Sequence, residues 1–190
     1  MPAQCEELLN VLASEQCAED FAGIGSVIYY GLKSDLSAEM TESGPTFSGI
    51  AFPANSGKGL YRIDCKEEAN SIVGSSGGMN GGFNQTLNFT VDFVNQDTSK
   101  LARAINNHQD LFFIVEDGDE TQVMYHPKHK ITIDSGGIES NTGDTADSDR
   151  QITYAIQLKR CKYPNTYLTL PSGKTLEDLL ASNNPVPSEP

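Results

Sequence analysis

The stretch that decides the fold is TLNFTVDFV, residues 86–94. Leu87, Phe89, Val91 and Phe93 fall on one side of an extended chain; Thr86, Asn88, Thr90 and Asp92 fall on the other. This alternation predicts a strand with one buried and one wet face. Downstream, TSKLARAINNH (98–108) switches to helical spacing through Leu101, Ala104 and Ile105, with Asp97 or Thr98 as the expected N-cap. LFFIVED (111–117) runs through the acidic turn DGDE into TQVMYH (121–126), which reads as a hairpin. KITIDSG (130–136) and QITYAIQLKRC (151–161) are further strands, separated by a polar loop at 135–149. Upstream, SVIYYGLK (26–33), TFSGIAF (46–52) and LYRIDCKEE (60–68) are rich in β-branched and aromatic residues and read as extended.

Helical spacing of Leu8, Leu9 and Leu12 predicts a helical arm within residues 1–22, ahead of a single β domain at 23–170. KTLEDLLAS (174–182) predicts a short helix in a terminal segment, 171–190, that ends in the Pro-rich NNPVPSEP. The chain therefore reads as mainly β, with one helix between strands and smaller helices at its ends.

With 190 residues, the chain suits one domain with its own core. Thirteen basic against 26 acidic residues leave a net charge of −13, opposed to direct phosphate binding, which needs clustered Lys and Arg. The longest apolar run, Leu111 to Val115, is too short to span a bilayer, so no membrane insertion is expected. The N-terminus lacks the basic and apolar regions of a signal peptide. Cys5, Cys17, Cys65 and Cys161 show no C-x-x-C spacing and are expected to pack as reduced thiols.

Each candidate for chemistry has a plainer reading. Asp144, Asp147 and Asp149 lack the spacing of a calcium loop and read as solvated. His126 and His129 are three apart, but Pro127 denies them a shared helical face, so no metal is expected. Gly173-Lys174-Thr175 lacks the first glycine and leading strand of a phosphate loop, and the glycines of 74–82 open no helix. The sequons at Asn84 and Asn88 carry no weight without a secretory leader. There is no G-x-S-x-G elbow and no paired carboxylates in a defined context, so neither an enzyme nor a cofactor is expected.

The order of elements from 60 to 168 resembles the tail tube and tail ring proteins of tailed bacteriophages, particularly phages of Bacteroides-type hosts (crAss-like phages). The resemblance is carried by LYRIDCKEE, the Gly-rich connection, GFNQTLNFTVDF, KLARAINN, LFFIVEDGDETQVMYH, SGGIESNTGDTADSD and ITYAIQLKRC. It implies a β-sandwich or barrel of two antiparallel sheets with one flanking α-helix. It further implies assembly of the chain with itself into a hexameric or dodecameric ring, contact with adjacent tail or portal-proximal rings, and a channel through which double-stranded DNA passes without specific binding. The protein would then be made in the host cytoplasm and reside in the virion tail, without enzymatic activity or cofactor.

On that reading the wet-face residues Asn88, Thr90, Asp92, Thr153 and Gln157 are candidates for the lumen, an outer solvated surface being the alternative for each. Gly74, Gly77, Gly78, Gly81 and Gly82, with Gly136, Gly137, Asn141 and Asp144, are candidates for subunit or ring contact. The competing reading is a monomeric β-sandwich module that recognises a carbohydrate or protein through its loops, against which stands the absence of Trp.

Overall fold

A computed structural model describes residues 24–67, 69–78, 81–107, 110–118, 120–143 and 149–186. The expected N-terminal arm, Cys5, Cys17, His108, Asp144 and Asp147 lie outside these residues. The fold is mainly β, two sheets with one α-helix, as the sequence predicts. The strands are β1 (Val27–Leu32), β2 (Thr41–Ser43), β3 (Thr46–Ser48), β4 (Tyr61–Asp64), β5 (Ser71–Ser76), β6 (Phe83–Asp92), β7 (Leu111–Asp117), β8 (Glu120–Met124), β9 (Ile131–Asn141), β10 (Gln151–Cys161) and β11 (Tyr167–Thr169). Helix α1 (Gln96–Asn107) joins β6 to β7. A seven-stranded sheet has the order β2-β3-β11-β8-β7-β1-β4, and a four-stranded sheet the order β5-β6-β10-β9. All pairings are antiparallel except that of β11 with β3.

The two sheets enclose one core between them. Leu87, Phe89 and Val91 of β6 and Ile152, Tyr154, Ile156 and Leu158 of β10 meet Ile28, Phe113, Val115 and Met124 of the larger sheet. Phe89 and Tyr154 are cross-strand partners, with rings 4.5 Å apart and nearly parallel. Ile105, Leu101 and Ala102 of α1 pack against this core.

A second core lies on the far face of the larger sheet. Tyr29, Phe112, Ile114, Val123 and Tyr125 are covered there by Met40, Phe47, Ile50, Leu60, Leu176 and Leu179. β7 is therefore buried on both faces, which is why Leu111–Val115 is continuously apolar and does not alternate. Each of its phenylalanines is at most 1% exposed, and such burial contributes roughly 1.5–3 kcal/mol per side chain.

Several expectations need correction. Phe93, assigned by period to the buried face, lies beyond β6, takes φ +71° and is 71% exposed. The chain leaves the sheet here to enter α1, whose cap is Asn95 and not Asp97 or Thr98: Asn95 Oδ1 accepts the Asp97 and Thr98 N–H groups, both at 2.9 Å. Segment 174–182 forms 3-10 turns at Glu177–Leu179 and Ala181–Asn183 in place of a helix. Backbone bonds hold it down: Leu60 N donates to Leu179 O (2.8 Å), and Ala181 N donates to Leu60 O (2.9 Å). Asn184 also donates to the Pro53 and Lys58 carbonyls, so this stretch is packed, not a free tail. Residues 135–141, expected as loop, continue β9 through an irregularity at Gly136 and Gly137 opposite Ala155. Residues 74–76, expected in the Gly-rich connection, join 71–73 to form β5.

Candidate functional site

Of the four sheet faces, two enclose the first core and a third carries the second; the outer face of the four-stranded sheet is the open one. Its composition follows from strand alternation. β6 presents Thr86, Asn88, Thr90 and Asp92, and β10 presents Gln151, Thr153, Ala155 and Gln157, because their neighbours fill the core. The register arranges these in rows: Ser71–Asn88–Ala155, Val73–Thr86–Gln157–Thr132, Thr90–Thr153–Glu139 and Asp92–Gln151–Asn141. Gln157 Nε2 donates to Thr86 Oγ1 across its row (3.2 Å), and Thr132 Oγ1 donates to the Gln157 carbonyl (3.2 Å).

The centre of this face is hydroxyl and amide. Such groups exchange hydrogen bonds and carry no charge at neutral pH. Carboxylates enter at one end of the strands, with Asp92 and Glu139, and β10 carries Lys159 at the other. A depression of about 240 Å³ lies over Ala69, Asn88, Thr90, Gly136, Gly137 and Thr153. Asn88, Asp92, Thr153 and Gln157 are half-buried on this face. Thr90 is only 8% exposed, because Lys66 and Asn70 lie against it beyond β5. Lys66 N donates to Thr90 O (2.7 Å), and Thr90 N donates to Asn70 Oδ1 (3.2 Å).

Among the described residues the sheet ends in two edge strands. β5, SIVGSS, has no charge and no proline, and its Val73 is 49% exposed. β9 forms the other edge, with the Gly136–Gly137 irregularity at its middle. Edge strands usually carry lysine, proline or strong twist to block pairing with another chain; β5 carries no such block.

The candidate contact glycines divide. A Cβ at Gly74 would lie 2.4 Å from the Pro164 carbonyl oxygen, at Gly81 2.2 Å from that of Gly77, and at Gly82 2.8 Å from that of Cys161. These three serve packing inside the chain. Gly77 donates to Gly82 O (2.7 Å) within the same turn. A Cβ at Gly78 (φ +94°) or Gly137 (φ +69°) would meet open space, and one at Gly136 would lie 3.0 Å from the Ala155 methyl. Asn141 Oδ1 accepts the Gly143 N–H (2.8 Å).

Two other places were weighed for chemistry. His126 and His129 come together although no helix joins them: His126 Nδ1 accepts the N–H groups of Lys128 (3.0 Å) and His129 (2.9 Å), and the rings sit 4.1 Å apart. A side-chain acceptor closing its own turn brings the rings together without the helical face that Pro127 denies. Burial, with His129 and Lys33 nearby, holds His126 below the usual histidine range. Among the described residues no group of three or more His, Cys, Asp or Glu is placed to hold a metal. Burial also pushes the Cys65 thiol up to about 12 and that of Cys161 up to about 11. Both are free thiols.

Sequence reasoning missed β5 and hence one edge of the open sheet. Its signal was Ile72-Val73, a β-branched pair between Asn70 and Gly77. Among the described residues the chain is thus a two-sheet β protein whose smaller sheet keeps one face outside both cores and has edge strands, β5 and β9, with no further strand partner. No protein-family model, curated protein or solved structure matches it. Among the described residues, no helix is long and apolar enough to cross a membrane.

Proposed function

We propose that the protein is a ring-forming structural component of a phage tail, assembling around a channel through which double-stranded DNA passes. The observation that carries this reading is the four-stranded sheet, with an uncharged centre to its open face and an unprotected β5 edge. Pairing β5 of one copy with β9 of the next continues the sheet from subunit to subunit. Closing the series abolishes the edges of the smaller sheets and turns the open face inward. Six copies of four strands exceed the strand numbers at which barrels already enclose water-filled channels.

The face chemistry suits a conduit. DNA affinity is dominated by Lys and Arg on phosphate, and the centre of this face offers only hydroxyl and amide groups. Asp92 adds repulsion at one rim. A polymer passing such a wall meets exchangeable hydrogen bonds and no cation cluster to hold it.

Native mass spectrometry with negative-stain imaging over a concentration series tests the reading. Six-fold or twelve-fold rings, lost in Val73→Lys because a lysine then stands on the β5 edge, support it. A monomer at every concentration, with Val73→Lys indistinguishable from wild type, overturns it and leaves the same face as the ligand surface of a monomeric binding module. In rings, Asp92→Lys is expected to slow DNA passage without altering the fold.

A further inference from the structure

β4 closes one side of the seven-stranded sheet and has a strand, β1, on only one of its own sides. Leu60, at its start, bonds away from β1: it donates to Leu179 O and accepts from Ala181 N. Alternation therefore turns the N–H and C=O groups of Tyr61 and Ile63 toward β1, and those of Arg62 and Asp64 away from it. The same parity holds beyond β4, where Cys65 N donates to Ser26 O (2.6 Å) and Lys66 N donates outward to Thr90 O (2.7 Å). Between Leu60 and Lys66, the backbone groups of Arg62 and Asp64 have no backbone partner among the described residues. The chain's own end shows that this edge accepts a strand: Leu180 pairs with Leu60 in parallel before the 3-10 turn at Ala181–Asn183 carries it away.

A groove of about 320 Å³ lies at this gap, between β4 and α1. Buried Ile63 and Val91 form its floor, and half-buried Tyr30 and Leu101 stand beside them. The charges that could guard the edge are turned elsewhere. Arg62 donates to Asp64 Oδ1 and to Glu177 Oε1 (2.8 Å each), and Glu177 also accepts from Tyr29 of the second core. The Arg62 and Asp64 side chains thus lie toward the far face of the sheet, and their main chain borders the groove. β4, YRID, has neither lysine nor proline to block pairing.

From this geometry we infer a peptide-binding site: a short, extended, basic segment of another protein pairs with β4 and places alternate apolar side chains in the groove against α1. Its length follows from the gap at 61–65, roughly 17 Å of strand at about 3.4 Å per residue. Its charge follows from the surroundings. The carboxylates of Asp64, Glu177 and Asp97 outnumber their cations Arg62 and Lys100, in a chain of net charge −13, so the segment carries Lys or Arg and no carboxylate. Residues 1–23, with Glu6, Glu7, Glu15, Glu19 and Asp20 and no Lys or Arg, have the wrong sign to fill it. The site belongs to the larger sheet and does not depend on closure of the smaller sheets into a ring.

Amide hydrogen exchange followed by NMR tests it, with the synthetic peptide Ac-KVTVTVK-NH2 as the probe. Saturating peptide is expected to slow exchange at Arg62 and Asp64 about tenfold or more, and to leave Tyr61 and Ile63, already bonded to β1, unchanged. Ac-EVTVTVE-NH2 should bind about tenfold or more weakly at low salt. Arg62→Pro removes one open N–H and no internal backbone bond, so it is expected to fold and to lose binding. Arg62→Ala loses the guanidinium but keeps the N–H, and should still bind. If circular dichroism shows Arg62→Pro unfolded, the wild-type exchange rates decide alone. Unchanged exchange at Arg62 and Asp64 in the presence of peptide, equal binding of the two peptides, or equal binding by the proline and alanine variants overturns the inference. So does protection of these two amides in the free protein: if it grows with protein concentration a second copy holds the edge, and if it does not the chain's own residues do.

Discussion

Replacing Leu179 by Ala tests whether the C-terminal segment belongs to the core. Leu179 is 7% exposed and packs in the second core beneath the 3-10 turns, where the sequence suggested only a terminal helix and tail. Truncating a buried leucine costs about 2–5 kcal/mol, from lost transfer free energy plus the cavity left behind. Because Leu179 sits on a short surface turn, part of the space can collapse, and the loss should be about 3 kcal/mol. In a domain of this length each kcal/mol moves Tm by about 2–4 °C, so a fall of roughly 6–12 °C is expected. The assay is thermal and urea unfolding followed by circular dichroism. Val186→Ala, at a side chain 65% exposed, is the control and should stay within about 0.5 kcal/mol. Tyr29→Phe isolates the polar half of the docking, since Tyr29 donates to Glu177 Oε1 (2.7 Å); it should cost about 1 kcal/mol. Wild-type stability in Leu179→Ala, or an unchanged Tm after proteolytic removal of 171–190, would refute the second core as a stabilising unit.

Three further outcomes are expected. Gly74→Ala should destabilise the monomer by about 1–3 kcal/mol in urea, because its Cβ meets Pro164 backbone; an assembly defect with unchanged stability would instead place Gly74 at an interface. Phe93→Gly should raise stability by up to about 1 kcal/mol, since glycine accepts φ +71° freely and the exposed ring gives up little burial; a lower Tm would show that the ring is packed. Burial, with His129 and Lys33 nearby, favours the neutral form of His126 in the fold, where its Nδ1 accepts two N–H groups, so its pKa lies below the unfolded value near 6.5. The unfolded chain therefore binds the proton more tightly. Stability should be full above that pH and decline on acidification, levelling off below the folded pKa. In His126→Asn, whose amide oxygen can close the same turn, this part of the pH slope should vanish; an unchanged slope would assign it elsewhere.

The fold class was legible because β6 and β10 alternate cleanly, and alternation is what a sheet with one wet face imposes. Phe93 broke the pattern because helix entry, not sheet period, sets its backbone. The double burial of β7 was written in its continuous apolar run, but a period-based reading assigns one face and does not ask what covers the other. Leu176 and Leu179 were read as helix residues, since nothing local says that their partners are Phe112 and Ile114 at long range. The His126–His129 approach was missed because it is built by a turn that an imidazole closes on itself. Of the candidate site, the polar rows on β6 and β10 were visible in the sequence. β5 was obscured by the glycines around it.

The position of β11 has a consequence for how the protein is made. β11 lies between β3 and β8, yet it follows every other described strand in the chain and is synthesised after them. Until Tyr167–Thr169 inserts, the β2–β3 hairpin has no place in the sheet, and Phe47 and Tyr125 cannot close on each other at 5.3 Å. A nascent chain halted before residue 166 therefore displays an unpaired edge of β8 and an apolar face that the finished protein hides. Completion of the larger sheet waits for β11, and a chain stopped before it keeps that apolar face exposed to aggregation.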